Sequence, residues 1–188
     1  MRDLVEDFTK HLTKSLEIGR QAKFSSTDKK ISNVVISGLG GSGIGGTIVG
    51  QLLAQEIKIP IIVNKDYSIP QFVDESTLFI VSSYSGNTEE TLYALEAAEK
   101  NGAEIACVTS GGEIEKIAKE KEYNCIIIPG GLPPRAAFGL AFPQLLYVLH
   151  QYNLISNVFE EEIEHTIKLI NSNESEIRQQ AKYVAGCL

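Results

Sequence analysis

The sequence has little that would tie it to a membrane, a metal or an oxidising compartment. Only three of its 188 residues are cysteine, at 107, 125 and 187. An odd, widely spaced set fits neither a disulfide framework nor a CxxC or other metal-binding pattern, and reads as a reducing, cytoplasmic setting. No apolar run approaches the ~18 residues of a membrane span. The opening MRDLVEDFTKHL is amphipathic and carries acids, which is not the pattern of a signal peptide. Lys/Arg runs are also missing. With Lys+Arg at 17 and Asp+Glu at 24, the formal charge is −7, which argues against nucleic acid or an anionic lipid surface as partner. It does not argue against a small anion held by backbone amides. What is present is a chain 43% hydrophobic and 22% charged, long enough to bury a core and sized for about one domain of ~150 residues.

The order of apolar runs gives the fold class. Residues 4–18 carry Leu4, Val5, Phe8, Leu12, Leu16 and Ile18 at near-helical spacing, and the polar FSSTDKK follows at 24–30. Short β-branched runs at 31–37, 59–63, 78–81, 105–108 and 125–128 read as strands. Between them, 47–57, 88–101 and 113–122 read as helices, the last charged and exposed. Residues 136–151 predict an apolar helix, and 157–185 one long helix with Ile163, Ile167, Ile170 and Ile177 facing inward. Strands apolar throughout and alternating with helices predict a five-stranded parallel sheet covered on both faces. With right-handed crossovers this is a flavodoxin-like, doubly wound, three-layer α/β/α sandwich. The segments divide as 1–30 (helix and connector), 31–152 (the α/β domain) and 153–188 (a trailing helix).

Three strands end in unusual loops, and in an open parallel sheet all three open on the binding edge. The first is GLGGSGIGG at 38–46, six of nine residues glycine. Such a loop lets backbone amides approach an anion at a helix N-terminus, and also serves as a tight strand–helix turn. Residues 38–43 satisfy GxGxxG, but Asn64, Lys65 and Asp66 stand where a nucleotide-binding domain carries its acid, and there is no GK[ST]. The second is SSYSGNT at 82–88. Its hydroxyls at Ser83, Ser85 and Thr88 suit convergence on one phosphate, or plain helix capping. Glu89 and Glu90 complement the helix dipole there, and one of them could line the site. The third is GGLPPRA at 130–136. Arg135, the only arginine between Arg20 and Arg178, is carried on a rigid Pro-Pro and suits an oxyanion, or else a surface ion pair.

GLGGSGIGG after a first strand and SSYSGNTEET after a third resemble the sugar isomerase (SIS) domain. Together with PGGLPPRAAFG they resemble the bifunctional phosphoglucose/phosphomannose isomerases, over about residues 31–150. The resemblance implies phosphate binding by Gly41, Ser42, Ser83, Ser85 and Thr88, with Arg135 stabilising charge at C1–C2 of the sugar. It implies aldose–ketose isomerisation of glucose 6-phosphate or mannose 6-phosphate and fructose 6-phosphate through a cis-enediol, with no metal or other cofactor. The partner implied is a phosphorylated hexose, and a homodimer is expected. The family's enzymes carry two SIS domains, and the catalytic glutamate and histidine come from the second. No matching pair follows Arg135. Glu160, Glu161, Glu162, Glu164 and His165 read as a solvated helix face, His150 as structural, His11 as remote from the crevice, and Cys107 and Cys125 as buried mid-strand residues. The chain therefore reads as the phosphate-binding half of such an isomerase. A non-catalytic sugar-phosphate module and a single-domain isomerase of another phosphosugar stand as alternatives.

Overall fold

Residues 2–187 are described by the computed structural model; residues 1 and 188, the outermost positions of the predicted terminal segments, lie outside the described residues. The five apolar runs form β1 (Asn33–Ser37), β2 (Ile61–Asn64), β3 (Thr77–Ser83), β4 (Glu104–Thr109) and β5 (Asn124–Ile127). All neighbouring strands run parallel, in the order β2-β1-β3-β4-β5. Every residue of the central strand β3 is buried, as a strand covered on both faces requires.

Strand alternation sends successive side chains to opposite faces. Val34, Ile36, Leu78 and Ile80 pack with Leu16, Val49, Leu145 and Phe159. These come from α2 (Phe8–Gln21), α3 (Gly40–Leu52), α6 (Phe138–Gln151) and α7 (Val158–Ser172). Val35, Phe79 and Val81 face the other way, onto Ala94, Leu95 and Ile114 of α4 (Glu89–Lys100) and α5 (Gly112–Glu120). The expected three-layer sandwich is therefore present. Its winding reverses at β1, which lies between β2 and β3, so the loops leaving β1 and β3 flank the topological switch point where such sheets bind ligands.

The structure changes several element boundaries. The predicted opening helix is divided at Asp7 into α1 (Arg2–Glu6) and α2. The glycine segment is mostly helical: α3 begins at Gly40, seven residues before the predicted start, and ends at Leu52. Glycine is a poor helix former, at ~1 kcal/mol per residue against alanine. Tertiary packing overrides that propensity here, because a Cβ on Gly46 would lie 3.0 Å from Ile36 Cγ2 and one on Gly45 3.4 Å from Leu145 Cδ1. The predicted helix 157–185 is two helices, α7 and α8 (Glu174–Gly186), parted at Asn173. Ile177 on α8 is exposed, against the expectation that it faces inward. The helix at 113–122 is amphipathic, not simply exposed: Ile114 and Ala118 on α5 are buried. Glu160 and Glu164 are not merely solvated, since both hold Arg20 at 2.7 Å and so tie α7 to α2.

Candidate functional site

The three loops singled out in the sequence lie at one edge of the sheet and touch one another pairwise. Gly38, just past β1, lies so close to the end of β3 that a Cβ on it would stand 2.6 Å from the Ser82 carbonyl oxygen. Gly41, in the first turn of α3, faces the third loop, with a Cβ position 3.4 Å from the Pro134 carbonyl oxygen. The second and third loops are joined through Tyr84. Its hydroxyl donates to the Pro129 carbonyl at 3.0 Å and accepts from the Leu132 N–H at 3.0 Å.

Each loop has a local cause. Gly40 turns the chain into α3 with φ +53°, a left-handed conformation that costs a side chain strain. Gly86 does the same in the hydroxyl loop, with φ +68°, and a Cβ there would sit 1.8 Å from the Gly111 carbonyl oxygen. Pro133 accepts a turn bond from the Ala136 N–H at 2.9 Å, which fixes the corner bearing Arg135.

The hydroxyl loop brings together two of its three named side chains. Ser83 ends β3 nearly fully buried, and its Oγ is 3.0 Å from Oγ1 of the half-buried Thr88. Thr88 stands at the N-cap of α4 yet makes no side-chain capping bond, so capping does not account for its hydroxyl. Ser85 is exposed, and its Oγ accepts the Asn87 N–H at 3.2 Å. Gly41 and Ser42 lie in the first turn of α3, whose N-terminus likewise has no side-chain cap. Two uncapped helix N-termini and a pair of hydroxyls thus share one sheet edge, an arrangement suited to a small anion.

Arg135 is exposed on the third loop and, among the described residues, pairs with no carboxylate. Arg20 and Arg178 are both paired with acids. The surface ion pair open to Arg135 from the sequence is therefore not made. The Tyr67 hydroxyl pKa is raised by burial first and then by the charges of Glu89 and Glu90.

A fourth loop and one cation escaped the sequence reading. Ser110 donates its backbone N–H and its hydroxyl to the Tyr84 carbonyl, at 3.0 and 2.6 Å. Asn87 Oδ1 accepts the Glu113 N–H at 3.0 Å, and so seats the hydroxyl loop on α5. The signal was Ser110-Gly111-Gly112 directly after β4, another glycine pair at a strand end. Lys65, at the end of β2, lays its side chain over α3: its Cε would be 3.2 Å from a Cβ on Gly43. His11 lies against Gly139 in the first turn of α6, with its Cβ 3.0 Å from a Cβ there. It is thus close to the helix that Arg135 leads into, nearer the loop edge than the sequence suggested. His150 sets its Nδ1 3.2 Å from the Ile155 carbonyl oxygen and its ring edge-on to Phe159.

The bifunctional phosphoglucose/phosphomannose isomerase of Caldicellulosiruptor bescii is 41% identical over 182 residues, 97% of this chain and 52% of that protein. The protein of the same description from Thermoplasma acidophilum is 50% identical over 108 residues, 57% of this chain and 33% of the relative. The chain spans about half the length, or less, of these curated relatives. Among solved structures, the C-terminal domain of glucosamine-fructose-6-phosphate aminotransferase from Francisella tularensis superposes with a TM-score of 0.67 at 18% identity. It matches 96% of this chain and 57% of that one, and shares the fold. Residues 28–152, which hold all three loops, match the SIS domain, and the chain belongs to the SIS domain family.

Proposed function

We propose that this chain binds a phosphorylated hexose across the β1/β3 switch point and forms the phosphate-and-oxyanion half of a phosphosugar isomerase. The observation that carries the reading is the Ser83–Thr88 hydroxyl pair, 3.0 Å apart at the uncapped head of α4. The hydroxyls of Ser83, Ser85, Thr88 and Ser42 and the amide of Gly41 hold the phosphate. Those donors are neutral, so a net charge of −7 is no obstacle.

Arg135 stands at the sugar end. Isomerisation between glucose 6-phosphate or mannose 6-phosphate and fructose 6-phosphate moves a proton between C1 and C2 through a cis-enediol. Negative charge gathers on the C1 and C2 oxygens as a base takes the carbon-bound proton, and a fixed guanidinium stabilises that charge. The relatives' names support this substrate class. The base and the ring-opening group belong to the part of such enzymes outside these 188 residues. The chain divides into residues 1–30, an SIS domain at 31–152, and 153–188 leading to a second SIS domain. It acts in the cytoplasm as a homodimer.

Ligand-dependent melting tests the reading. Fructose 6-phosphate at 100 times its dissociation constant should stabilise the chain by ~2.7 kcal/mol, and unphosphorylated fructose should not. Ser83→Ala and Thr88→Ala should each weaken binding about 10- to 100-fold, the worth of a hydrogen bond to a charged group. A shift that survives both substitutions overturns the phosphate site. Turnover by this chain at the rate of a whole isomerase overturns the half-site reading.

A further inference from the structure

Cys107 and Cys125 are register partners on adjacent parallel strands, β4 and β5. Paired parallel positions project to the same face of the sheet, and both residues pack in the same apolar cluster beneath α4 and α5. Neighbouring strands lie about 4.8 Å apart, inside the roughly 4.4–6.8 Å Cα separation that a disulfide spans, at its short end. The two differ in access. Cys107 is fully buried, whereas Cys125 is half-buried and lines a surface pocket of about 320 Å³ beside Glu115, Lys119, Tyr123 and Ile127. The neighbouring Cys125 thiol, then burial, pushes the Cys107 thiol up, while Cys107 holds Cys125 below the usual thiol range. One cysteine thus reaches a surface pocket, with a sheltered second thiol at its side.

We infer that Cys107 and Cys125 form a peroxide-reactive dithiol that closes reversibly into a disulfide between β4 and β5. The oxidant is a small hydroperoxide. The Cys125 thiolate attacks one peroxide oxygen; the O–O bond breaks, and hydroxide leaves and takes up a proton as water. Cys125 is then a sulfenic acid. Cys107 sulfur attacks Cys125 sulfur, the S–O bond breaks, and the departing hydroxyl leaves as water with the Cys107 proton. Two thiols are oxidised to one disulfide, and the peroxide is reduced to water. Dithiols reopen the bridge by thiol–disulfide exchange, through a mixed disulfide at the accessible Cys125 sulfur. The site is separate from the phosphosugar crevice and does not depend on its assignment.

The test uses the full chain with Cys187→Ser, which removes the exposed tail thiol. After native treatment with hydrogen peroxide, thiols are counted in denaturant, and tryptic peptides are mapped without reductant. Both remaining thiols should disappear together, with the Cys107 and Cys125 peptides linked, two hydrogens lost from the intact mass, and full recovery with dithiothreitol. In a Cys107→Ala background the reaction should stop at a Cys125 sulfenic acid that dimedone traps. Persistence of both thiols, a stable sulfenic acid while Cys107 is present, or linkage between two chains overturns the inference. Should Cys107→Ala fail to fold, peptide mapping of the Cys187→Ser chain decides alone.

Discussion

The Tyr84 hydroxyl accepts the Leu132 N–H at 3.0 Å across 48 residues of sequence, and donates to the Pro129 carbonyl at the same distance. One phenol therefore ties the hydroxyl loop to the loop that carries Arg135. Tyr84→Phe keeps the ring and removes both bonds, leaving the half-buried Leu132 N–H without its acceptor. The expected loss of stability is about 1 kcal/mol, read from urea unfolding. Fructose 6-phosphate should lose more affinity than inorganic phosphate, because the segment that loses its anchor, Pro129–Leu132, leads to Arg135 and carries none of the phosphate donors. Equal losses for the two ligands would show that Tyr84 does not position the arginine loop.

Two glycines of α3 should respond in opposite directions to alanine. A Cβ on Gly43 would stand 2.5 Å from the Gly38 carbonyl oxygen, a backbone atom that has little freedom to move. Gly43→Ala should destabilise by about 1–3 kcal/mol and disturb the α3 N-terminus. At Gly50 the nearest atom to a Cβ is Ile61 Cγ2 at 3.8 Å, an ordinary contact. Gly50→Ala should stabilise by about 0.5–1 kcal/mol through lower unfolded-state entropy and better helix propensity. Denaturant midpoints measure both, and the same sign for the two variants would refute the packing argument.

Stability should fall at both ends of the pH scale. The Arg20 guanidinium, by hydrogen bonding, holds the Glu164 carboxyl below its usual range. Ser76 does the same for Asp74, and Lys121, followed by Tyr123, for Glu99. A carboxyl lowered in the folded state stabilises the fold above its unfolded pKa, near 4, and that contribution is lost as pH falls through the folded value. The acid limb should therefore begin below about pH 4.5 and become shallower in Arg20→Gln. Burial raises the phenols of Tyr123, Tyr147 and Tyr152. Their contribution is full below about pH 10 and is lost above it, and Tyr152→Phe should lessen the alkaline loss. Urea midpoints across pH check both limbs; an acid limb of unchanged slope in Arg20→Gln would refute the assignment to Glu164.

The loops were legible in the sequence because each departs from what a plain strand–helix connection needs. Clustered hydroxyls at 82–88 and an arginine behind two prolines leave a compositional trace. Residues that act by reaching across the fold leave less. Tyr84 was only one residue of a loop until its hydroxyl met Pro129 and Leu132. Lys65 appeared merely as the wrong residue for a nucleotide-binding acid, and nothing local brings it over Gly43. The start of α3 was misplaced for the same reason: propensity disfavours helix at Gly40–Gly46, and only contacts with Ile36 and Leu145 make glycine the residue that fits.

The sequence by itself determined the class of fold. Alternating apolar strands and helices bury their faces as a covered parallel sheet, and each strand end carries its own loop chemistry. Tertiary structure decided which parts meet. The β2-β1-β3-β4-β5 order brings Gly38 against Ser82 and Gly41 against Pro134. It leaves Arg135 without a carboxylate partner among the described residues while pairing Arg20 and Arg178. It also sets Cys107 beside Cys125 in register. Local periodicity reports burial along one element, whereas contacts between elements follow from strand order and register, which are properties of the whole sheet.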